Sequence, residues 1–273
     1  MIRVGIDTTS LIKKEVSSKN AGYCAPAFVE EDKDRPFFEY IPISEDPRYL
    51  SSETKNYSNT PRRNKKKIGR YLADFLDTEE RTLYDGQTRK TAELQLHYDP
   101  EFCTFTYGDY RGGRMPIDLE ENLRADSPSY LFFYAGLSSY DRDLYEKEER
   151  TIDELDRPGE KPAYIIGYFK IDEMCEVKGK DCWPVGFENN AHFKRQAEPD
   201  YANLVVVRGD ASDSMCLDRA IRLNCWNARI GKYVPTEIAG KKICLKPMRG
   251  MRIALSLNSR QTRDVLKIIH GDN

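Results

Sequence analysis

Two apolar stretches separated by a charged insertion constrain this chain more than any other feature. Pro128–Leu137 and Lys161–Ile171 are crowded with aromatic and β-branched side chains, are bounded by Pro and Gly, and lack helical spacing. They read as two neighbouring buried strands at the centre of a sheet. The insertion between them, Ser138 to Glu160, is far too polar for a core. An excursion of that length between paired strands is expected to lie over one end of the sheet, where binding groups are commonly mounted.

At 273 residues the chain is long enough to bury most of the surface that its unfolded form exposes. Neither a repeat nor a low-complexity linker nor a composition break divides it. A single domain over 1–273 is expected, with the charged surface insertion at 138–160. Charged residues make up 32% and hydrophobic residues 39%, with a mean hydropathy of −0.70, which excludes disordered and membrane classes. The N-terminal Met1–Asp7 turns polar too early for a signal peptide and no run approaches a membrane span, so a cytoplasmic protein without a membrane partner is expected. Net charge is −2, so binding to a polyanion would have to use local patches. The seven cysteines are odd in number and show neither zinc-knuckle nor redox spacing.

Taken in order, Ile2–Asp7 alternates into a strand ending on Asp7, Thr8 and Thr9, short oxygen-bearing side chains that either present ligand-binding oxygens or turn the chain. Phe37–Ile43 reads as a second strand, and Glu45–Leu50 as a turn. The run Pro61–Lys67, with Arg62 and Arg63, is the most basic in the chain and has tyrosines nearby. It holds phosphates beside a stacking aromatic, or it is a solvated loop. Helical spacing follows over Ile68–Leu76, and Ile117–Arg124 reads as a short amphipathic helix. Leu204–Asp210 is a further buried strand ending in Arg208 and Asp210. Ser212–Leu223 is expected as a capped helix, Tyr233–Pro247 as a hairpin turning at Gly240–Lys242, and Ser259–His270 as a closing helix whose His270 meets the last carbonyls.

Polar chemistry concentrates between Glu93 and Arg114. His97 and Asp99 stand at i, i+2, which on an extended segment points both to one face, as a base with its orienting carboxylate or two metal ligands require. The bland alternative is an Asx turn at Asp99. Tyr107–Asp109 is most simply a turn, with Arg111 and Arg114 beyond it around Gly112 and Gly113. Asn190–Arg195 places His192, Lys194 and Arg195 within four residues, which suits an anion or nucleotide unless the segment is merely an exposed loop.

No Walker loop, dinucleotide fingerprint, nucleophile elbow or zinc-deaminase pattern occurs. In the order of its pieces, however, the chain resembles the third type of nucleotide-modification-associated domain, an α+β family linked to nucleic-acid base modification. The likeness runs over roughly residues 1 to 225, through the strand ending at Asp7, His97–Pro100, Tyr107–Asp109, Leu131–Gly136, Tyr164–Phe169 and Asn190–Arg195. The resemblance singles out His97, Asp99, Asp109, His192 and Arg195, whereas the insertion at 138–160 and the basic run with Arg62 and Arg63 look like additions of this member. Catalytic roles are expected for His97, Asp99, Asp7 and Asp109, and phosphate contacts from Arg111, Arg114, His192, Lys194, Arg195, Arg208, Arg62 and Arg63. More faintly, the strand pair is similar to the barrel pattern of PUA-like readers of modified bases, in which Tyr134, Tyr164 and Tyr168 would stack on a flipped base; at alternating spacing they are otherwise core.

The expected architecture is therefore α+β, a central mixed and partly barrel-like sheet flanked by short helices. The expected function is action on, or binding of, nucleotides or nucleic acid in base modification, with a non-catalytic reader or an interaction scaffold as alternatives. A divalent cation such as magnesium would suit the carboxylates if they meet. The residues alone leave turnover and oligomeric state open.

Overall fold

The computed structural model describes residues 2–3, 25–28, 34–45, 49, 51–61, 63, 71–75, 80–82, 88–110, 128–140, 163–195, 201, 204–227, 229–230, 232–235, 237–238, 241–242, 257 and 259–271. The strands are β1 Ile2–Arg3, β2 Ala25–Phe28, β3 Phe37–Phe38, β4 Ile43–Ser44, β5 Glu80–Thr82, β6 Thr88–Lys90, β7 Leu96–His97 and β8 Thr106–Tyr110. After them come β9 Tyr130–Tyr140, β10 Ala163–Glu176, β11 Leu204–Gly209, β12 Met215–Arg222, β13 Asn224–Asn227, β14 Lys232–Pro235, β15 Glu237–Ile238 and β16 Lys241–Lys242. The described α-helices are α1 Ala191–Lys194 and α2 Ser259–His270. None of them is long and apolar enough to cross a membrane.

Eight strands form one mixed sheet in the order β1-β9-β2-β3-β12-β10-β11-β8, with β9 also paired to β10. β1 and β2 run parallel to β9, and the other pairings are antiparallel. The two central strands anticipated from sequence are thus β9 and β10, side by side, with Tyr164 opposite Ala135 and Tyr168 opposite Phe132. Leu131–Phe133 and Tyr164–Phe169 are buried without interruption, because both faces of the sheet are covered here. Phe133 and Phe169 meet edge to face at 4.6 Å, and Phe102 packs on both. Each such buried ring contributes about 1.5–3 kcal/mol from apolar burial. Register shifts between Ile165 and Gly167, and a Cβ at Gly167 would stand 2.5 Å from Phe102 Cε1 and 2.8 Å from the Met215 carbonyl. Glycine there is what lets Phe102 lie against the sheet. Helix α2 buries Val265 and Ile268 in the same core.

Several expectations change. Ser212–Leu223 is not a helix: after a turn, β12 pairs with β10, placing Met215 opposite Tyr168 and Ile221 opposite Ile165. The residues that looked like a helix cap serve the turn instead, since the Ser212 N–H and hydroxyl both donate to Asp210 Oδ1. Nonlocal pairing then overrides the helical spacing of Met215, Cys216, Ala220 and Leu223. Tyr107–Asp109 is not a turn but lies in β8, hydrogen-bonded to β11. The turn comes earlier, at 102–105, where the Glu101 carboxylate accepts the Cys103 and Thr104 N–H groups. The expected helix over 68–76 is described only at Leu72–Phe75, a single 3-10 turn. In the hairpin region expected over 233–247, β14 pairs with β13 and β15 with β16, so Lys241 and Lys242, expected at the turn, stand in a strand; 239–240 and 243–247 lie outside the described residues. His270 donates to or accepts from the Tyr168 hydroxyl at 3.2 Å and so serves the sheet. Cys175 and Cys182 are free thiols, which changes no expectation. Asp7, 117–124 and 141–160 lie outside the described residues.

Candidate functional site

Beside the edge strand β8, five ionisable side chains from three separate parts of the chain meet. The short pairing of β4 with β7 sets Ile43 opposite His97. It leaves Glu45 beside His97, and the Glu45 N–H is anchored on the Gln95 carbonyl at 2.8 Å. Glu45 Oε2 stands 2.9 Å from His97 Nδ1. Asp99, two residues on, shares the face of His97, and its Oδ1 accepts the Gly108 N–H of β8 at 3.0 Å. Helix α1 brings in His192: Asn190 caps the turn by accepting the His192 N–H at 3.0 Å. A Cβ at Gly108 would stand 2.9 Å from His192 Cδ2. Glycine at that position therefore allows β8 and α1 their close approach.

Arg195 completes the set. Its Nε and NH2 groups donate to Glu45 Oε1 at 3.1 and 2.8 Å, and its NH1 stands 3.2 Å from His192 Nδ1. Its guanidinium lies over the Tyr49 ring at 4.3 Å. A guanidinium only donates, so His192 Nδ1 is the acceptor and the imidazole proton sits on Nε2, which faces Asp99 Oδ2 at 3.5 Å. His97 Nε2 faces the same oxygen at 3.8 Å. The two imidazole rings stand perpendicular, 5.0 Å apart. The contacts form a closed ring, Glu45–His97–Asp99–His192–Arg195, and each of these side chains is less than a tenth exposed.

Burial alone would deprotonate His97, but the Glu45 charge and the contacts with Asp99 and Glu45 hold it protonated, with its pKa raised to about 9. For His192, burial and the nearby His97 and Arg195 charges outweigh Asp99 and push the pKa down to about 4. Burial raises both carboxyls, yet Glu45 is held well below its usual range by His97 and then Arg195, and Asp99 is lowered by His192 and His97. At neutral pH two cations and two anions balance in a space shut off from water.

Of the candidates named from sequence, His97, Asp99, His192 and Arg195 are brought together. Asp109 accepts from the Tyr107 hydroxyl at 3.0 Å; by strand alternation it faces away from Gly108 and Tyr110, whose ring touches His192. Lys194 pairs with Glu53 at 2.7 Å, and Arg208 with Asp172 and Glu173. Arg63 is turned to the Cys216 and Leu217 carbonyls. Tyr134 is half-buried, while Tyr168 is buried against Phe132 and Tyr130. Asp7, Arg62, Arg111 and Arg114 lie outside the described residues. Glu45 was missed because it read as part of a turn; Asn190 carried a capping signal, Asn two residues before His192, that was passed over. His97, Asp99 and His192 form the one group of potential metal ligands among the described residues.

No curated protein and no solved structure matches this chain. A sequence model of nucleotide modification associated domain 3 matches residues 1–232. With that match spanning most of its length, the chain belongs to the nucleotide modification associated domain 3 family.

Proposed function

We propose that this protein acts in the modification of nucleotides or nucleic-acid bases, and that the centre built from His97, Asp99 and His192 handles the base or nucleotide. One observation carries the reading: two of only three histidines in the chain converge on one buried carboxylate, although 95 residues of sequence separate His97 from His192. Bringing charged groups out of water is expensive for folding, and a protein needing only stability does as well with apolar residues there. Membership of a family associated with nucleotide modification supports the substrate class. Asp7 as a further carboxylate, Asp109 as one on the other face of β8 and so outside this centre, and Arg62, Arg63, Arg111, Arg114, Lys194 and Arg208 as phosphate contacts on nucleic acid, belong to the same proposal.

The experiment compares cells producing the wild type with cells producing Asp99→Asn or His97→Ala. Digested DNA, RNA and free nucleotide pools are profiled by mass spectrometry. A nucleoside that depends on the wild-type protein and vanishes with both variants is the expected result; identical profiles overturn the reading. A non-catalytic, PUA-like reader would instead bind oligonucleotides with steep salt dependence while leaving every profile unchanged. Against that alternative stands Tyr168, expected to stack on a base on a barrel-like wall, which is 2% exposed and hydrogen-bonded to His270.

A further inference from the structure

Three sides of the ring are hydrogen bonds of ordinary length: 2.9 Å from Glu45 to His97, 2.8 Å from Arg195 to Glu45 and 3.2 Å from Arg195 to His192. The two sides at Asp99 Oδ2 open to 3.5 and 3.8 Å, too long for good N–H···O bonds. A buried network serving only stability closes such gaps, since each poorly met polar group there is destabilising. The long sides share one oxygen: both Nε2 atoms face Asp99 Oδ2, and His97, Asp99 and His192 each offer a ligand atom within 4.8 Å of the others.

We propose that these three atoms bind one divalent first-row transition-metal ion. The inference deepens the functional reading above, because it names a cofactor for the same centre. Around a cation with bonds of roughly 2.0–2.2 Å, ligand atoms stand about 3.0–3.5 Å apart, so small side-chain shifts close the triangle. The surroundings already have the form of an outer shell. Glu45 holds His97 by its other nitrogen, Gly108 holds Asp99 by its other oxygen, and Asn190 fixes the backbone of His192. The buried Nδ2 of Asn190, on the residue that caps His192, has no acceptor among the described residues. Coordination moves two protons: His97 releases its Nε2 proton to solvent and keeps the Nδ1 proton on Glu45, and the His192 proton passes from Nε2 to Nδ1, so that Arg195 NH1 turns away while Nε and NH2 stay on Glu45.

Two imidazoles with one carboxylate select iron(II), manganese(II), cobalt(II) or zinc(II) over magnesium. Magnesium would suit several carboxylates that meet, but Asp99 alone offers a carboxylate oxygen to this point, the other carboxylate of the ring, Glu45, being held by His97 Nδ1 and Arg195. Three protein ligands leave coordination positions open, the arrangement of a catalytic ion.

The test is calorimetric titration of chelator-stripped protein with each metal chloride, iron(II) under anaerobic conditions, with no nucleotide present. The cobalt(II) form is also followed by its visible spectrum. One equivalent of transition metal binds, magnesium does not compete, and Asp99→Asn and His192→Ala each weaken binding by about 100-fold or more. Circular dichroism and melting curves establish that each variant folds. His270→Asn, which alters the third histidine, binds as the wild type does. Absence of stoichiometric binding, or binding that survives Asp99→Asn in a folded protein, overturns the proposal. Metal binding with unchanged nucleoside profiles would remove the functional reading and leave this one standing.

Discussion

The β9–β10 centre and the Glu45–Arg195 ring are buried to a similar degree and are held in opposite ways. In the first, Phe102, Phe133 and Phe169 touch through many weak contacts, and any one of them loses only its share when a neighbour changes. In the second, each charge is made tolerable by specific partners, so that a single loss strands the others. The contrast teaches that burial alone does not tell how a region responds to substitution. What matters is whether the contacts can be shared out again.

Truncation gives the largest effects and makes the regions look alike. Phe133→Ala is expected to cost about 3–5 kcal/mol by leaving a cavity, and Glu45→Ala about 3–5 kcal/mol by stranding Arg195 and His97; both are read from urea unfolding midpoints. Conservative changes then separate them. Phe133→Leu should cost about 1.5 kcal/mol or a little more, whereas Glu45→Gln, nearly isosteric, should remain close to the alanine variant. Equal losses for the two conservative changes would show the comparison to be false.

Acidity distinguishes the regions next. Between pH 6.5 and 9 the folded protein holds a proton on His97 that the unfolded chain has released, so stability falls as pH rises. Between pH 6.5 and 4 the unfolded chain takes up a proton that buried His192 refuses, so stability falls as pH drops. The lowered carboxyls of Glu45 and Asp99 add to the acid loss below their ordinary values. Metal-free protein should therefore melt highest near pH 6.5, and the Glu45→Gln variant should lose most of the alkaline slope. Melting curves across pH check both statements.

Gly108→Ala comes after these in size, at about 1–3 kcal/mol, because the new methyl meets His192 Cδ2. It should disturb the ring more than the sheet, which a shifted His192 signal in an NMR spectrum would report. Smallest is Lys194→Gln. Its ion pair with Glu53 is partly open to solvent, and its removal should change stability by under about 1 kcal/mol.

How far each region can be read from sequence follows from the same difference. β9 and β10 were legible because a strand buried on both faces writes its state into consecutive residues, and α2 because its apolar residues recur with helical period. β12 was not, since residues with helical spacing were recruited by a partner more than 40 residues away, Tyr168 lying opposite Met215. His97 and Asp99 were visible as a pair because i, i+2 places them on one face whatever surrounds them. Glu45 was invisible: its role depends on the register of β4 with β7, 52 residues on, which no local pattern encodes. His192 and Arg195 were noticed as a cluster, but their three-residue spacing reads as an exposed basic patch until a single helical turn folds both inward.

Helix α2 lies beyond residue 232, where the family resemblance ends. Yet Val265 and Ile268 are packed into the same core as β9 and β10, and His270 reaches the hydroxyl of Tyr168. The limit of the family match and the limit of the core therefore do not coincide. A fragment trimmed to residues 1–232 would carry an unroofed patch of the aromatic interior, and α2 acts as its cover.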